Sequence, residues 1–127
     1  MGMPDMDDDR RYYRLQRIAV RQNGRVLFIT LDEIDWIGAA DNYVCLHCGA
    51  ETHILRETMG ELEARLAPAR FVRIHRSAIV NIDRIKELQP WFRGDYHVIL
   101  SNGTKLTLTK NHRQKLDSHL LLGSFTR

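Results

Sequence analysis

The sequence of residues 71–88 is FVRIHRSAIVNIDRIKEL, and it decides how the rest of the chain is interpreted. Residues 71–74 predict a half-buried strand. The polar triplet His75-Arg76-Ser77 interrupts the apolar pattern, which resumes at 78–80. Residues 70–86 carry five cations and one acid. We therefore predict a cationic tip on rigid apolar supports, which is how a protein presents hydrogen-bond donors to an anion.

The distribution of charge narrows the choice of anion. The chain of 127 residues fits one domain and has a net charge of +3. Residues 5–9 include four aspartates, whereas residues 105–115 contain four cations and no acid. This excess of positive charge in the second half of the chain indicates a polyanionic partner. We interpret that partner as duplex DNA.

Composition also limits the cellular setting that we expect. No apolar run approaches the roughly 18–20 residues that a membrane-crossing helix needs. The acidic start lacks the apolar core of a secretory signal. Two cysteines, Cys45 and Cys48, are too few and too close together for a disulfide framework. A reducing, cytoplasmic setting is expected, and tethering to a membrane stays open if the chain is part of a longer protein.

Turn and breaker signals predict many short strands. Tight hairpins are indicated at 23–24, 49–50 and 102–103, and the first of these is Asn-Gly, the pair that a type I′ turn favours. A break is predicted at Gln89-Pro90. No alternation of strand, helix and strand recurs, so a doubly wound parallel sheet is not expected.

Two segments predict helix. Thr58 and Glu61 form a capping box ahead of an apolar stripe, which predicts a mid-chain helix that Pro68 terminates. From Thr109 onward the apolar spacing predicts a C-terminal helix. The Thr-x-x-Glu pattern at 30–33 predicts one further helical turn. The expected fold class is mostly β, with several short antiparallel sheets, one mid-chain helix and a C-terminal helix.

Three segments are expected along the chain. Residues 1–14 predict a disordered linker because they lack periodicity and bury no apolar surface. Residues 15–122 predict the folded domain, and residues 123–127 predict a tail.

Neither a metal site nor an active site is predicted. Cys45 and Cys48 are three positions apart in a predicted strand, so they point to opposite faces and cannot share one ion. His47 and His53 still leave a structural zinc site without a fourth ligand. We expect one buried and one exposed cysteine. No nucleophile elbow or Gly-rich phosphate loop occurs, so we predict no enzyme activity, no cofactor and no small-molecule substrate.

The stretch FVRIHRSAIVN at 71–81, followed by Ile85, resembles the signature of the LytTR DNA-binding domain family. Segments at 35–44, 55–62 and 100–111 resemble other parts of the same family in the same order. The resemblance covers about residues 15–121 and implies short β-sheets with little helix. Members are bacterial transcription regulators, often placed behind a receiver or membrane sensor domain. They insert loops into successive major grooves at direct repeats in promoters.

The resemblance implies three DNA-binding loops, whose counterparts here are residues 41–43, 75–77 and 110–112. The candidates for base contact are Asn42, Tyr43, His75, Arg76, Lys110 and Asn111. The candidates for phosphate contact are Arg73, Ser77, Thr109, Arg113 and Lys115. Cations at the start of a helix repel its macrodipole, and their placement is explained if a phosphate binds there.

Two departures from the family pattern affect base preference. The family often has Asn at the position of Arg76, and it commonly has paired arginines where this chain has Lys110-Asn111. Arginine can donate two hydrogen bonds to guanine O6 and N7, whereas asparagine suits adenine. We therefore predict that Arg76 contacts a guanine.

Each candidate residue also has a simpler interpretation. Arg76 can be a solvated surface arginine, His75 can shape the loop by donating to a backbone carbonyl, and Asn42 can be a left-handed turn residue. Trp91-Phe92 beside Pro90 can be core or interface, or an exposed patch for a second protomer or an upstream domain. The rival function is a protein-interaction module that uses the basic loops and hairpin edges. A homodimer and an upstream receiver or sensor domain stay open as partners.

Overall fold

The computed structural model describes residues 16–68 and 70–119, so the predicted linker and tail lie outside the described residues. The strands are β1 Arg17–Gln22, β2 Arg25–Thr30, β3 Trp36–Ala40, β4 Tyr43–Cys48, β5 Glu51–Leu55, β6 Phe71–His75, β7 Ala78–Asn81, β8 Ile85–Pro90, β9 Tyr96–Leu100 and β10 Lys105–Leu108. The α-helices are α1 Met59–Arg65 and α2 Arg113–Asp117. Short 3₁₀ turns cover Leu31–Glu33, Ile82–Arg84 and Lys110–His112.

The strands of the described chain form three antiparallel sheets. β1 and β2 make a two-stranded sheet, and β10-β9-β8 make a three-stranded sheet. The largest sheet has five strands in the order β5-β4-β3-β7-β6. The mostly β class with two helices is therefore confirmed.

The β6–β7 hairpin lies between two hydrophobic cores. Phe71 and Ile79 pack with residues of β1, β3, β4 and α1, whereas Val72, Ile74 and Val80 pack with β9, β10 and α2. Every residue of β7 is buried. The prediction of a half-buried strand for 71–74 is therefore wrong, since both faces of the hairpin are covered.

Buried polar groups connect the sheets. Asp35 is 8% exposed, and its carboxylate accepts from Arg84 Nε at 2.8 Å and from the Gly49 backbone N–H at 2.9 Å. The fully buried Asn81 donates from Nδ2 to the Ile34 carbonyl at 2.9 Å. Since buried polar groups are costly without partners, these bonds fix how the elements meet.

Local turn chemistry is confirmed at two of the predicted positions. Asn23 and Gly24 have φ of 54° and 76°, the positive values that a type I′ turn requires. Thr58 and Glu61 form both hydrogen bonds of a capping box at the start of α1.

Three local predictions are corrected. Residues 30–33 do form a helical turn, but the Thr30 hydroxyl donates to the Glu33 carboxylate at 2.9 Å and does not cap the backbone. Gln89-Pro90 is no break, because β8 is an edge strand that continues to Pro90. The two cysteines are both half-buried: Cys45 lies on the less covered face of β4, whereas Cys48 packs against the core at the end of the strand.

We predict that Asn81→Ala lowers the free energy of unfolding by about 2 kcal/mol, because the buried Ile34 carbonyl then loses its donor. Urea unfolding followed by circular dichroism measures this. Asn111→Ala, which alters an exposed asparagine, is the matched control and should shift stability by less than about 0.5 kcal/mol. Equal stability of the two variants would contradict the role given to Asn81.

Candidate nucleic-acid interface

The three predicted loops lie beside one another in the structure. Residues 41–42 connect β3 to β4, and residues 76–77 connect β6 to β7 at the same end of the five-stranded sheet. The Ala39 N–H donates to the Ser77 carbonyl at 3.0 Å, which ties the central loop to the end of β3 next to the first loop. The loop after β10 joins from the other side. We call residues 41–42, 76–77 and 109–112 together the loop edge.

The third loop is attached at the edge strand β6. The Thr109 N–H donates to the Ile74 carbonyl at 2.9 Å. The pairing of β6 with β7 shifts register between Arg73 and His75, which marks a β-bulge at Ile74. A bulge re-aims the end of a strand, and here it lies where the tip leaves the sheet.

Arg76 lies at the tip of the central loop and is exposed. In the described part of the chain, no hydrogen bond or ion pair engages its guanidinium. Its backbone is held in place, because Arg73 donates to the Arg76 carbonyl at 2.5 Å and to the His75 carbonyl at 3.2 Å. The tip therefore presents a charged side chain from a fixed main chain.

His75 shapes the tip from inside. Its Nδ1 accepts from the Ser77 N–H at 3.1 Å and lies 2.9 Å from the Ser77 hydroxyl. An accepting Nδ1 corresponds to the neutral tautomer that carries its proton on Nε2. His75 therefore shapes the loop as an acceptor, not as the donor to a carbonyl that the simpler interpretation proposed.

Glu63 on α1 braces the tip, a role that no pattern in the sequence indicates. Its carboxylate accepts from Arg73 Nη1 at 3.0 Å and from Lys115 Nζ at 3.2 Å. Burial on its own raises the pKa of the Glu63 carboxyl, but the hydrogen bonds and charges of Arg73 and Lys115 outweigh burial, so the pKa is lowered from 4.5. Arg73 and Lys115 lie 10 and 52 residues from Glu63 in the sequence, so no local motif predicts these pairs.

The third loop presents two exposed side chains, those of Lys110 and Asn111. Thr109 does not cap the helical turn, and its hydroxyl lies 2.7 Å from His112 Nδ1. Burial lowers the pKa of His112, and the nearby charges of Lys115 and Arg73 lower it further. The imidazole is therefore neutral at neutral pH. The Arg113 guanidinium lies 5.6 Å from the centre of the Tyr96 ring.

The first loop presents Asn42, which is exposed, and Tyr43, which is half-buried at the start of β4. Asp41 adopts the left-handed conformation with φ of 50°, whereas Asn42 does not. Asp41, and not Asn42, therefore supplies the left-handed turn residue, so turn geometry does not explain the asparagine at position 42.

No metal site is formed by the described residues. Among residues 16–68 and 70–119, no group of three His, Cys, Asp or Glu side chains could hold an ion. Burial raises the pKa of the Cys48 thiol to about 11, helped by the charges of Glu33, Asp35 and Glu51, so the thiolate that binds metals is disfavoured. No helix within these ranges is long and apolar enough to cross a membrane.

Comparison with known proteins identifies the family. The model of the LytTr DNA-binding domain matches residues 24–121, which is most of the chain. The chain belongs to the LytTr DNA-binding domain family. Membership of this family supports DNA binding, and it agrees with the prediction of no enzyme activity because the matched residues form a DNA-binding domain.

Two bacterial relatives and one solved structure are similar to this LytTr domain. The sensory transduction protein LytT of Bacillus anthracis is 30% identical over 102 residues, which cover 80% of this chain and 42% of LytT. The transcriptional regulatory protein LytR of Staphylococcus aureus is 34% identical over 96 residues, covering 76% of this chain and 39% of LytR. The chain thus spans about two fifths of the length of these relatives.

The solved structure is a LytTr DNA-binding domain from Bacillus cereus. It superimposes with a TM-score of 0.76 at 19% identity, and the match covers 84% of this chain and 98% of the solved one. At this identity the match shows a shared fold, and the roles of individual side chains rest on the geometry described above.

We predict that Glu63→Gln lowers the free energy of unfolding by up to about 1 kcal/mol at neutral pH, because it weakens the pairs with Arg73 and Lys115. The folded-state pKa of Glu63 lies below its unfolded value, so this stabilisation is present above pH 4.5 and is lost as the pH falls through the folded pKa. Wild type and variant should therefore converge in acid. Urea unfolding over a pH series tests this, and a difference that persists in acid would contradict it.

Proposed function

We propose that this LytTr domain binds double-stranded promoter DNA sequence-specifically and inserts its loops into successive major grooves at direct repeats. The observation that carries the proposal is the loop edge, where hydrogen bonds hold three loops side by side around the exposed Arg76. An exposed cation on a fixed backbone suits base readout, because the backbone around it loses little conformational freedom when the side chain binds.

We divide the six base-contact candidates by exposure. Direct contact is proposed for the four exposed side chains, which are Asn42, Arg76, Lys110 and Asn111. Tyr43 and His75 are half-buried, and His75 bonds Ser77, so we propose that these two hold the loops in shape.

The phosphate candidates divide by the contacts that they make to the tip. Arg73 has a side chain only 18% exposed, and it already donates to Glu63 and to two carbonyls of the tip. We propose that Arg73 and Ser77 position Arg76. Phosphate contact then falls to Thr109, Arg113 and Lys115, the last of which is 53% exposed even while it pairs with Glu63.

The domain is proposed to act as the DNA-binding part of a longer transcription regulator. The relatives that it resembles are named as sensory transduction and transcriptional regulatory proteins, and this chain covers about two fifths of each. A receiver or membrane sensor domain upstream would supply the signal, and one copy of the domain would occupy each repeat.

We predict that affinity for a duplex selected from a random pool falls as the salt concentration rises. The logarithm of the affinity should fall linearly with the logarithm of the salt concentration, with a slope of about −0.9 per neutralised phosphate. Fluorescence anisotropy over a salt series measures this. An unrelated duplex of the same length should bind more weakly. Equal binding of both duplexes would contradict sequence specificity, and binding to neither would favour the protein-interaction function.

We predict that Arg76→Ala removes about 1–3 kcal/mol of discrimination at a guanine of the selected site, while other positions keep theirs. Base-by-base substitution of the duplex, measured with both proteins, locates the effect. Arg25→Ala is the charge-matched control, because Arg25 is an exposed arginine in the β1–β2 hairpin. The prediction that Arg76 contacts a guanine is wrong if Arg76→Ala and Arg25→Ala give the same base preferences.

A further inference from the structure

The turn between β8 and β9 exposes two aromatic side chains. Trp91 is 58% exposed and Phe92 is 59% exposed. Residues 91–94 form what we call the aromatic tip, which is closed by the Trp91 N–H bond to the Asp95 carbonyl at 3.0 Å and by the Asp95 N–H bond to the Phe92 carbonyl at 2.9 Å. Large exposed rings on an ordered turn are typical of a contact surface.

The aromatic tip also carries a cation. The Arg93 guanidinium lies 5.1 Å from the centre of the Phe92 ring, and the Arg93 backbone is left-handed with φ of 54°. The Trp91 ring is tilted against His97, with 4.6 Å between ring centres. The rings are thus held by their neighbours, and Arg93 is placed over one of them at the surface.

The aromatic tip is joined to the loop edge at Lys110. The Lys110 N–H donates to Asp95 Oδ1 at 2.8 Å. The aliphatic stem of Lys110 packs on Gly94, where an added Cβ would lie 3.3 Å from Lys110 Cδ. A duplex that meets Lys110 would therefore lie next to the aromatic tip.

We propose that the aromatic tip is a fourth DNA-contact element, in which Arg93 donates to a phosphate and the rings of Trp91 and Phe92 cover the adjoining deoxyribose. The proposal rests on the proposed function, and it extends the contact surface past the three loops. Arginine is a common phosphate donor, and phosphate contacts fix register without carrying sequence information.

Charge favours DNA over a protein partner at this place. The cations Arg93 and Lys110 lie on the tip and on the loop joined to it, and Arg113 follows that loop at the start of α2. The Asp95 carboxylate is engaged by the Lys110 N–H. An apolar surface edged by cations matches the sugar-phosphate backbone, which alternates apolar sugar with anionic phosphate.

The test compares Arg93→Asn with wild type, since asparagine tolerates the left-handed backbone that Arg93 adopts. Loss of one phosphate contact should make the slope of log affinity against log salt less steep by about 0.9. The ratio of wild-type to variant affinity should then be roughly eightfold larger at 0.1 M salt than at 1 M salt. The loss should be equal for the selected duplex and for an unrelated one. Phe92→Ala should weaken both duplexes severalfold, and Arg25→Ala again controls for bulk charge.

Tryptophan fluorescence gives a second readout at the same place. Adding the selected duplex should change the emission of wild type. Trp91→Phe should abolish that change, because Trp36 begins β3 and so lies at the opposite end of that strand from the loop edge. The fourth contact would be overturned if Arg93→Asn and Phe92→Ala both kept the wild-type salt slope and affinity and the duplex left Trp91 emission unchanged. That result would favour a protein partner at the tip. Absence of DNA binding by wild type would instead overturn the proposed function itself.

Discussion

The whole architecture depends on burying one short hairpin on both faces. β7 is four residues long, and it contributes Ile79 to one core and Val80 to the other. Because both cores close on the same hairpin, the five-stranded and three-stranded sheets are held together by apolar contact through it. The exposed Arg76 leaves the hairpin between these two cores. A hairpin that is buried on both faces therefore carries an exposed cation at its tip.

Polar contacts then fix the orientation that apolar burial leaves open. The Asp35 carboxylate accepts hydrogen bonds from Arg84 and Gly49, and the Glu63 carboxylate accepts hydrogen bonds from Arg73 and Lys115. The bonds of Asp35 tie the sheets together, and the bonds of Glu63 hold the tip of the β6–β7 hairpin. Neither set involves a side chain proposed to contact bases, whereas Lys115 both pairs with Glu63 and is proposed to contact a phosphate.

Local chemistry explains which features could be predicted from the sequence. Asn23-Gly24 and the Thr58–Glu61 box were predictable because their signals lie within a few residues. The brace at Glu63 was not predictable, since Lys115 lies 52 residues away in sequence. The charge pattern picked out Arg73 but not its partners, so it was assigned to a phosphate although the folded protein gives it other acceptors.

The hydrogen bonds between the loops have a consequence for the duplex. The Ala39–Ser77 and Ile74–Thr109 bonds are backbone contacts between neighbouring elements, so the spacing of the loops is built into the sheet. If the loops insert into a duplex as proposed, this fixed spacing leaves bending or twisting of the DNA as the way to absorb any difference in pitch. Flexible pyrimidine–purine steps deform at lower energetic cost, so base pairs that no side chain touches would still influence affinity.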